Sequence, residues 1–454
     1  MNSPVEVVIF SDSSEQLGSA GVLDPQTGNT LITYKSGGVV PPRSLCVLGN
    51  DYLLSADQKK PLLHAWALNS HEPVHQGIRL VTPGRVSALA ATPDGSYCII
   101  AVEEKLYVWQ IASGCLLAVA DMHFSRVNVV KFVDDGSHFV SAGEDCMVAV
   151  WSLAQLVSAD VGQVVVHDPS KRTEPRHIFR DHSLPVHDLH IGRGGMHARL
   201  FTASMDRTCK VHDLASNMLL LTVVFESCLT AVIVDPVESE AFVGTVTGDV
   251  YQFSLREPPR ALEQLVHRDK NVKMFTGHKG AVTSLSVSLD SLTLLSGAED
   301  SSIIFWHIPS RQATKTVSHK GPVTNAFFCL ASKQIFAENF RPHVVLHSLQ
   351  RSIAANMKEL VVDVITTEEN DGSYEQEPQQ YASLESVSYE AEYLQKIVEL
   401  KKINAMLYKF AAEKLLQPFA DAVAEEEGTV QRTDAPSLLK KKKKKRIRKK
   451  MGKK

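Results

Sequence analysis

A short strand-like motif that recurs about every 43 residues is the feature that most constrains how this chain can fold. Each copy ends in an aromatic residue or a histidine, followed closely by an apolar residue. These marker positions are Trp66, Trp109, Trp151, His212, Phe253, Trp306 and His347, spaced 43, 42, 61, 41, 53 and 41 residues apart. A period of roughly 40–45 residues matches one four-stranded propeller blade. We therefore predict an all-β ring of sheets, because one such sheet cannot bury both of its faces alone.

The number of blades follows from seven full units and one partial copy. The fragment 20–34 fits the same phase, because Leu23 lies 43 residues before Trp66. We expect a propeller domain over residues 1–350 with seven blades, and the fragment leaves room for an eighth. The strand Val5–Phe10 is expected to pair with the C-terminal blade and close the ring.

Two units are longer than the others. The 61-residue step contains the polar segment 157–182, and the 53-residue step contains the segment 256–271. Loops accept added length at small entropic cost, so a neutral surface insertion is one interpretation. A partner-binding loop on one face of the ring is the other.

A second regularity lies inside the units. Counting backwards, Trp306 is preceded by Asp300, Ser296 and His278 at 6, 10 and 28 residues. Trp151 has the same residue types at the same offsets, whereas the set of His212 has its first histidine displaced by two residues. The twelve positions are His123, Ser141, Asp145, Trp151, His182, Thr202, Asp206, His212, His278, Ser296, Asp300 and Trp306.

The segment 276–308, TGHKGAVTSLSVSLDSLTLLSGAEDSSIIFWHI, carries this pattern most clearly and resembles the WD-repeat family. The resemblance implies a WD-repeat β-propeller in which Trp, Ser or Thr, His and Asp of one blade form a hydrogen-bonded tetrad. Buried polar groups must be paired, and a fully paired network fixes local geometry. Only two units keep all four residues, so we expect the other blades to depend on apolar packing.

The composition changes in three steps beyond the repeats. Residues 351–392 are predicted to be an acidic linker, because 363–392 hold nine Asp or Glu and no Lys or Arg. Residues 393–417 lack Gly and Pro and are predicted to form a helix that assembles with a partner or pairs with a second copy as a short coiled coil. The alternative is that this helix packs back onto the propeller. Residues 418–454 are expected to be a disordered tail. The predicted partner-binding residues of the helix are Tyr393, Ile397, Leu400, Asn404, Leu407 and Phe410, of which Asn404 is a polar residue on an otherwise apolar seam.

The basic tail dominates the charge distribution. Residues 440–454 hold twelve Lys or Arg and no acid, and the rest of the chain has 36 Lys and Arg against 51 Asp and Glu, a net charge of −15. Such a run predicts import into the nucleus, with accumulation in the nucleolus and nucleoplasm. Because no aromatic residue interleaves it, any RNA contact would be nonspecific and directed at phosphates. The import residues are Lys440, Lys441, Lys442, Lys443, Lys444, Lys445, Arg446, Arg448, Lys449 and Lys450.

Several classes of protein are disfavoured. No apolar run is long enough to cross a bilayer, the N-terminus lacks the basic region of a signal peptide, and no membrane association is expected. Seven scattered cysteines without a CxxC pair predict a reducing compartment, in which they act as small buried apolar residues.

Catalytic and metal-binding patterns are weak. The densest histidine cluster comprises His182, His187, His190 and His197, but side chains alternate along a strand, so His187 and His190 face opposite sides and no metal site is expected. The sequence contains no phosphate loop, nucleophile elbow or H-E-x-x-H motif. We therefore expect neither a cofactor nor enzymatic activity.

The order of propeller, acidic linker, helix and lysine tail resembles the family of propeller subunits of the rixosome. The resemblance implies a non-catalytic scaffold in a nuclear complex for large ribosomal subunit maturation and pre-rRNA processing. The implied partners are two helical scaffolds (a proline-, glutamate- and leucine-rich protein and a testis-expressed helical-repeat protein), a pre-rRNA endonuclease, a SUMO protease, midasin and the pre-ribosomal particle.

Two alternatives stay open. The first is a generic WD-repeat adaptor, such as a ubiquitin-ligase substrate receptor or a chromatin-associated interaction protein. The second is an independent RNA-binding factor, which the net acidity of the chain before the tail disfavours.

Overall fold

The computed structural model describes residues 6–14, 20–74, 78–157, 174–256, 261–266, 273–337 and 340–351, together with Lys402 and Met406. The chain divides into two units, Met1–Thr367 and Glu368–Lys454. The described part of the first unit is a seven-bladed β-propeller built from seven separate sheets.

Twenty-nine strands and three short helical segments make up the described ring. In chain order the strands are β1 (Glu6–Asp12), β2 (Ala20–Leu23), β3 (Thr30–Tyr34), β4 (Leu45–Leu48), β5 (Tyr52–Ala56), β6 (Leu62–Ala67), β7 (Leu80–Val81), β8 (Val86–Ala91), β9 (Tyr97–Val102), β10 (Lys105–Gln110), β11 (Leu116–Asp121), β12 (Val127–Phe132), β13 (His138–Gly143), β14 (Val148–Ser152), β15 (His177–Phe179), β16 (Val186–Ile191), β17 (Arg199–Ser204), β18 (Thr208–Asp213), β19 (Met218–Val224), β20 (Leu229–Val234), β21 (Glu240–Thr245), β22 (Val250–Ser254), β23 (Glu263–Leu265), β24 (Lys273–Phe275), β25 (Val282–Val287), β26 (Thr293–Ala298), β27 (Ser302–His307), β28 (Gln312–Ser318) and β29 (Val323–Leu330). The helix α1 (Leu153–Val157) follows β14, and 3₁₀ turns occupy Gly195–His197 and Lys333–Phe336.

Each blade runs from an inner strand at the central channel to an outer strand at the rim. Blades 1 to 3 are β4–β7, β8–β11 and β12–β15, blade 4 is β16–β19 with β23, blade 5 is β20–β22 with β24, blade 6 is β25–β28, and blade 7 is β29 with β1–β3. The inner strands of successive blades pack against one another. The second strands β13, β21 and β26 are each buried at five of six positions. Both faces of these strands are therefore covered, which explains why their sequences are almost continuously apolar or small.

Blade 7 joins the two ends of the repeat region. Strand β1 pairs antiparallel with β29, with Ile9 opposite Phe327, so the predicted closure of the ring by an N-terminal strand is confirmed. The fragment 20–34 supplies the next two strands of the same blade, and Leu23 lies opposite Val8 on β1. The partial unit and the last unit thus form one blade, and the ring has seven blades rather than eight.

The segment VVLHSL (344–349), predicted to be a strand of the last unit, is not a strand. It belongs to residues 340–351, which we name the strap and which pack onto blades 1 and 2. Leu346 and Leu349 are buried among the apolar side chains of these blades. The prediction for His347 is therefore wrong, because β1–β3 already occupy the places beside β29.

The two long units differ in structure. Residues 158–173 of the first insertion lie outside the described residues, and β15 near its end is the outer strand of blade 3. In the second insertion, β23 adds in parallel to β19 as a fifth strand of blade 4. Val266, which follows β23, is buried in a core shared by blades 4 and 5. The second insertion therefore connects two neighbouring blades and is only partly a loop.

Candidate interaction sites on the propeller

In blade 6 the four predicted residues form a continuous hydrogen-bonded chain. Trp306 Nε1 donates to Ser296 Oγ over 2.7 Å, and Ser296 Oγ lies 2.7 Å from His278 Nε2. His278 Nδ1 lies 3.0 Å from Asp300 Oδ2. Because the carboxylate can only accept, Nδ1 of the neutral imidazole donates to Asp300, and Nε2 accepts from the serine hydroxyl, which itself accepts from the indole N–H. The indole N–H, the serine hydroxyl and both ring nitrogens of this tetrad are then paired.

Blade 3 contains the same chain at nearly the same distances. Trp151 Nε1 donates to Ser141 Oγ over 2.8 Å, and Ser141 Oγ lies 2.7 Å from His123 Nε2. His123 Nδ1 lies 2.8 Å from Asp145 Oδ2. The recurrence of one geometry in two blades follows from the shared 6, 10 and 28 offsets, since these fix the positions on successive strands.

Blade 4 departs from the predicted tetrad at its third strand. His182 Nε2 lies 2.7 Å from Thr202 Oγ1, and its Nδ1 lies 2.9 Å from Asp206 Oδ2. His212 does not extend this chain, because its Nε2 instead lies 3.0 Å from Asp181 Oδ2. The prediction that His212 replaces the tryptophan is therefore wrong, because Asp181, the residue immediately before His182, pairs with the imidazole of His212.

The tetrad carboxyls are held in their ionised form. Burial alone would raise the pKa of Asp145, Asp206 and Asp300, but hydrogen bonds from side chains and backbone N–H groups outweigh it and lower each pKa. Burial lowers the pKa of His278, against the opposing effect of Asp300. The imidazole of blade 6 is therefore neutral at pH 7, as the donor–acceptor order of the chain requires.

Each tetrad carboxylate also fixes a loop at the surface. Asp145 Oδ2 accepts the backbone N–H of Phe124 at 3.1 Å. The tetrad carboxylates of blades 4 and 6 accept the backbone N–H groups of Ser183 and Lys279 in the same way. The side chain of Phe124 is 79% exposed. An aromatic residue held on a fixed backbone in solvent has the character of an interface hot spot. Phe124 is thus a candidate contact residue that the sequence pattern did not reveal.

Blades without a tetrad satisfy their indoles differently. Trp66 Nε1 donates to Lys35 O and Trp109 Nε1 donates to Gln350 O of the strap, both over 2.9 Å. In blade 7 the ring of Phe10 lies 4.5 Å from the ring of His319. Among the described residues His319 Nε2 has no hydrogen-bond partner, and burial lowers the pKa of this imidazole to about 4.

Arg43, two residues before the inner strand of blade 1, reaches across the central channel. Its Nε lies 3.3 Å from Asp188 Oδ1 of blade 4, and its Nη2 donates to Thr230 O of blade 5 over 2.6 Å. Its backbone N–H donates to Asn325 Oδ1 of blade 7 over 2.6 Å. Lys131 of blade 3 approaches Asp188 Oδ1 to 3.4 Å. One cluster therefore ties five blades together across the channel.

The channel cluster is electrostatically asymmetric. Burial would raise the pKa of Asp188, but Lys131, Arg43 and a hydrogen bond from the Val232 N–H outweigh it and lower the pKa. Burial lowers the pKa of the nearby His190 to about 3, so this residue is neutral at pH 7. Within the cluster two cations thus face one carboxylate, beside a cavity of about 430 Å³. The arrangement braces the ring and offers no paired nucleophile and base.

The described residues place no metal or membrane chemistry on the ring. Within these ranges no group of three or more His, Cys, Asp or Glu could hold a metal ion. No helix in the described part of the chain combines the length and apolarity needed to span a membrane. All seven cysteines are free, but only Cys98 and Cys209 are buried, and the other five are partly exposed. The expectation that all of them are buried is therefore wrong.

Most of the predicted C-terminal assembly elements lie outside the described residues. Within the predicted helix 393–417, Lys402 and Met406 are described, and both are helical and exposed. The seam of the helix, the linker beyond residue 351 and the basic run 440–450 lie outside the described residues.

Comparison with known proteins agrees with this architecture. The family model for the WD domain, G-beta repeat, matches residues 113–152, 173–213 and 269–307, which end on the third strands of blades 3, 4 and 6. WD repeat-containing protein 18 of Rattus norvegicus is 40% identical over 347 residues, 76% of this chain and 78% of the relative. WD repeat-containing protein 18 of Danio rerio is 35% identical over 443 residues, 92% of this chain and 100% of the relative. Pre-rRNA-processing protein IPI3 of Yarrowia lipolytica is 31% identical over 338 residues, 70% of this chain and 75% of the relative.

Proposed function

The chain belongs to the WD repeat-containing protein 18 family, and from this membership we propose that it is a non-catalytic scaffold subunit in ribosome biogenesis. Its task is to hold other proteins together in a nuclear complex that matures the large ribosomal subunit and processes pre-rRNA. The observation that carries the proposal is the match over 70% of this chain to a protein named for pre-rRNA processing.

The geometry of the ring supports a binding role rather than a catalytic one. A tetrad or a backbone carbonyl pairs each of the four buried indoles, and Arg43 braces the channel, so the loops project from a rigid frame. Rigid frames that display exposed loop residues are suited to protein recognition, because little conformational entropy is lost on binding. Phe124 is such a displayed residue.

We place two further functions in the chain beyond the ring. The helix 393–417 docks on a partner or pairs with a second copy, and the basic run 440–450 directs the chain to the nucleus and nucleolus. The partners proposed are the helical scaffolds, the pre-rRNA endonuclease and the SUMO protease of the rixosome, with midasin on the pre-ribosomal particle. The acidic residues 351–392 serve as the linker between ring and helix.

Affinity purification of the tagged full chain from nuclear extract tests the proposal. We expect co-purification of proteins needed for large-subunit maturation, in amounts that resist nuclease treatment because the contacts are between proteins. Recovery of cullin-type ligase components in their place would replace the proposal with the adaptor alternative. Recovery that disappears on nuclease treatment would favour the RNA-binding alternative.

A pair of variants locates the contact on the ring. Phe124→Ala removes the exposed aromatic side chain, and Leu265→Ala removes an apolar side chain of similar exposure at the rim of blade 4. We expect the first variant to lose part of the co-purifying set at an unchanged melting temperature, since a buried hot-spot residue contributes 2 kcal/mol or more, about a thirtyfold change in affinity. The second variant is the matched control. Equal recovery with both variants would exclude Phe124 from the interface.

A further inference from the structure

A cavity of about 350 Å³ opens between blades 5 and 6, on the opposite face of the ring from Phe124. Blade 5 contributes the turn between β20 and β21, Arg256 just after β22, and Lys273 at the start of β24. Blade 6 contributes the turns between β25 and β26 and between β27 and β28. Strands alternate in direction, so all of these connections lie at the same end of their blades. We call this cavity the rim pocket.

Three cations and two acids line the rim pocket, and neither of its arginines has an ion pair among the described residues. Arg256 Nη2 donates to Ser239 Oγ over 3.3 Å, and no carboxylate in the described part of the chain pairs with it. Arg311 is exposed and likewise has no ion pair among the described residues. Lys273 Nζ lies 3.7 Å from Glu240 Oε1, which is a long separation for an ion pair. The pocket is therefore a locally cationic site on a ring whose chain, apart from the tail, is acidic.

The second acid of the pocket, Asp235, already accepts hydrogen bonds from its own turn. Asp235 Oδ1 accepts the backbone N–H groups of Ser239 and Glu240, over 2.6 and 2.8 Å. Asp235 Oδ2 accepts the hydroxyl of Ser239 over 2.8 Å. This carboxylate therefore serves the turn between β20 and β21, and the guanidinium groups remain available to an external anion.

An unsatisfied acceptor lies in the same wall. Gln252 is 7% exposed, and its Nε2 donates to Glu240 Oε2 over 3.1 Å. Its Oε1 is buried and has no hydrogen-bond partner in the described part of the chain. Buried polar atoms are almost always paired, so an orphan of this kind indicates a missing donor. This oxygen is enclosed by the protein, so Gln252 acts on the pocket through its Nε2, which holds the carboxylate of Glu240.

We propose that the rim pocket binds a phosphorylated serine or threonine of a protein partner. Its phosphate would accept hydrogen bonds from the forked guanidinium groups of Arg256 and Arg311, which suit phosphate oxygens. The volume suits one residue rather than a polymer backbone, and the acidity of the chain before the tail repels a long polyanion more than a single phosphate. The site functions whether or not the chain takes part in ribosome maturation.

Titration of the full chain with N-acetyl-phosphoserine methylamide tests the site. Isothermal titration and thermal melting are run at constant ionic strength for the wild type and for the double variant Arg256→Gln/Arg311→Gln. We expect saturable binding to the wild type and at least tenfold weaker binding to the double variant.

Controls separate the pocket from the basic tail, which every variant retains. Arg126→Gln changes an exposed arginine on the opposite face and should bind as the wild type does. Equal binding by the wild type and the double variant would assign all the affinity to the tail and overturn the proposal. Loss of oligouridine binding in the double variant, with no binding of the phosphoserine compound to the wild type, would make the pocket an RNA contact instead.

Discussion

Replacing Arg43 by methionine is the sharpest test of the channel as a brace. The side chain of Arg43 is 18% exposed and that of Asp188 is 9% exposed, so the pair is largely shielded from water. Removing one partner of a buried ion pair costs about 3–5 kcal/mol when the other charge is left alone. Here Lys131 stays 3.4 Å from the same carboxylate oxygen, so we expect a smaller cost of about 2–3 kcal/mol.

This cost translates into a measurable shift in melting temperature. Unfolding entropy is about 2.1 cal/mol/K per residue, so a ring of roughly 350 residues has an unfolding entropy near 0.7 kcal/mol/K. A loss of about 2–3 kcal/mol then lowers the melting temperature by about 3–4 °C. Calorimetry of the variant beside the wild type measures it. Lys131→Met is the control, and because Lys131 is 37% exposed its shift should be below about 1 °C.

Acid unfolding gives an independent readout of the same contact. The pKa of Asp188 is lowered in the folded ring, so its contribution to stability is present above its unfolded pKa and is lost as pH falls through the folded pKa. Without Arg43 the folded pKa rises, and the acid midpoint should move to higher pH. A variant with the melting temperature and acid midpoint of the wild type would refute the idea that the cluster braces the ring.

Three further predictions concern the tetrads, the tail and the helix. Ser296→Ala leaves the indole and imidazole of the blade 6 tetrad unpaired and should lower the free energy of unfolding by about 2–4 kcal/mol, measured by denaturant titration. Deleting residues 438–454 from a fluorescent fusion should abolish nuclear accumulation, and unchanged accumulation would remove this role from the tail. Changing Ile397, Leu400 and Leu407 together to Asp should abolish co-purification of partners or self-association at an unchanged melting temperature; a lower melting temperature would instead indicate that the helix packs on the ring.

The repeat pattern predicted the ring because a hydrogen-bonded tetrad requires fixed spacings along successive strands. The chains of blades 3 and 6 could be read from their offsets alone. His212 could not, because the offsets contain no information about Asp181, which competes for the same imidazole. The sequence places residues at the right positions, and three-dimensional proximity then decides which acceptor each donor reaches.

The last repeat unit shows a second reason why the repeat pattern did not predict every strand. Its first strand, β29, forms as the period predicts, but β1–β3 from the other end of the chain take the remaining places. The contacts of Arg43 were not predicted either, because its bonds to blades 4, 5 and 7 join residues that lie between 145 and 282 positions apart in the sequence. In the sequence Arg43 is only a basic residue beside an apolar strand, and such a residue is usually exposed to solvent.

The marker positions of blades 1, 2 and 5, which have no tetrad, follow the same physical rule as the complete tetrads. A buried polar group must be fully paired or absent, since a half-satisfied network destabilises a core more than an apolar one. In blade 5 the marker position is the buried Phe253, which has no polar group to pair. Trp66 and Trp109 instead donate to backbone carbonyls of segments outside their own sheets. The carbonyl that serves Trp109 belongs to the strap, so the chain that leaves the ring toward the linker is itself part of the core of blade 2. A truncation that ends before residue 350 would therefore leave the Trp109 indole unpaired as well as remove the C-terminal elements. Only a truncation that ends after the strap can distinguish an effect on assembly from an effect on stability.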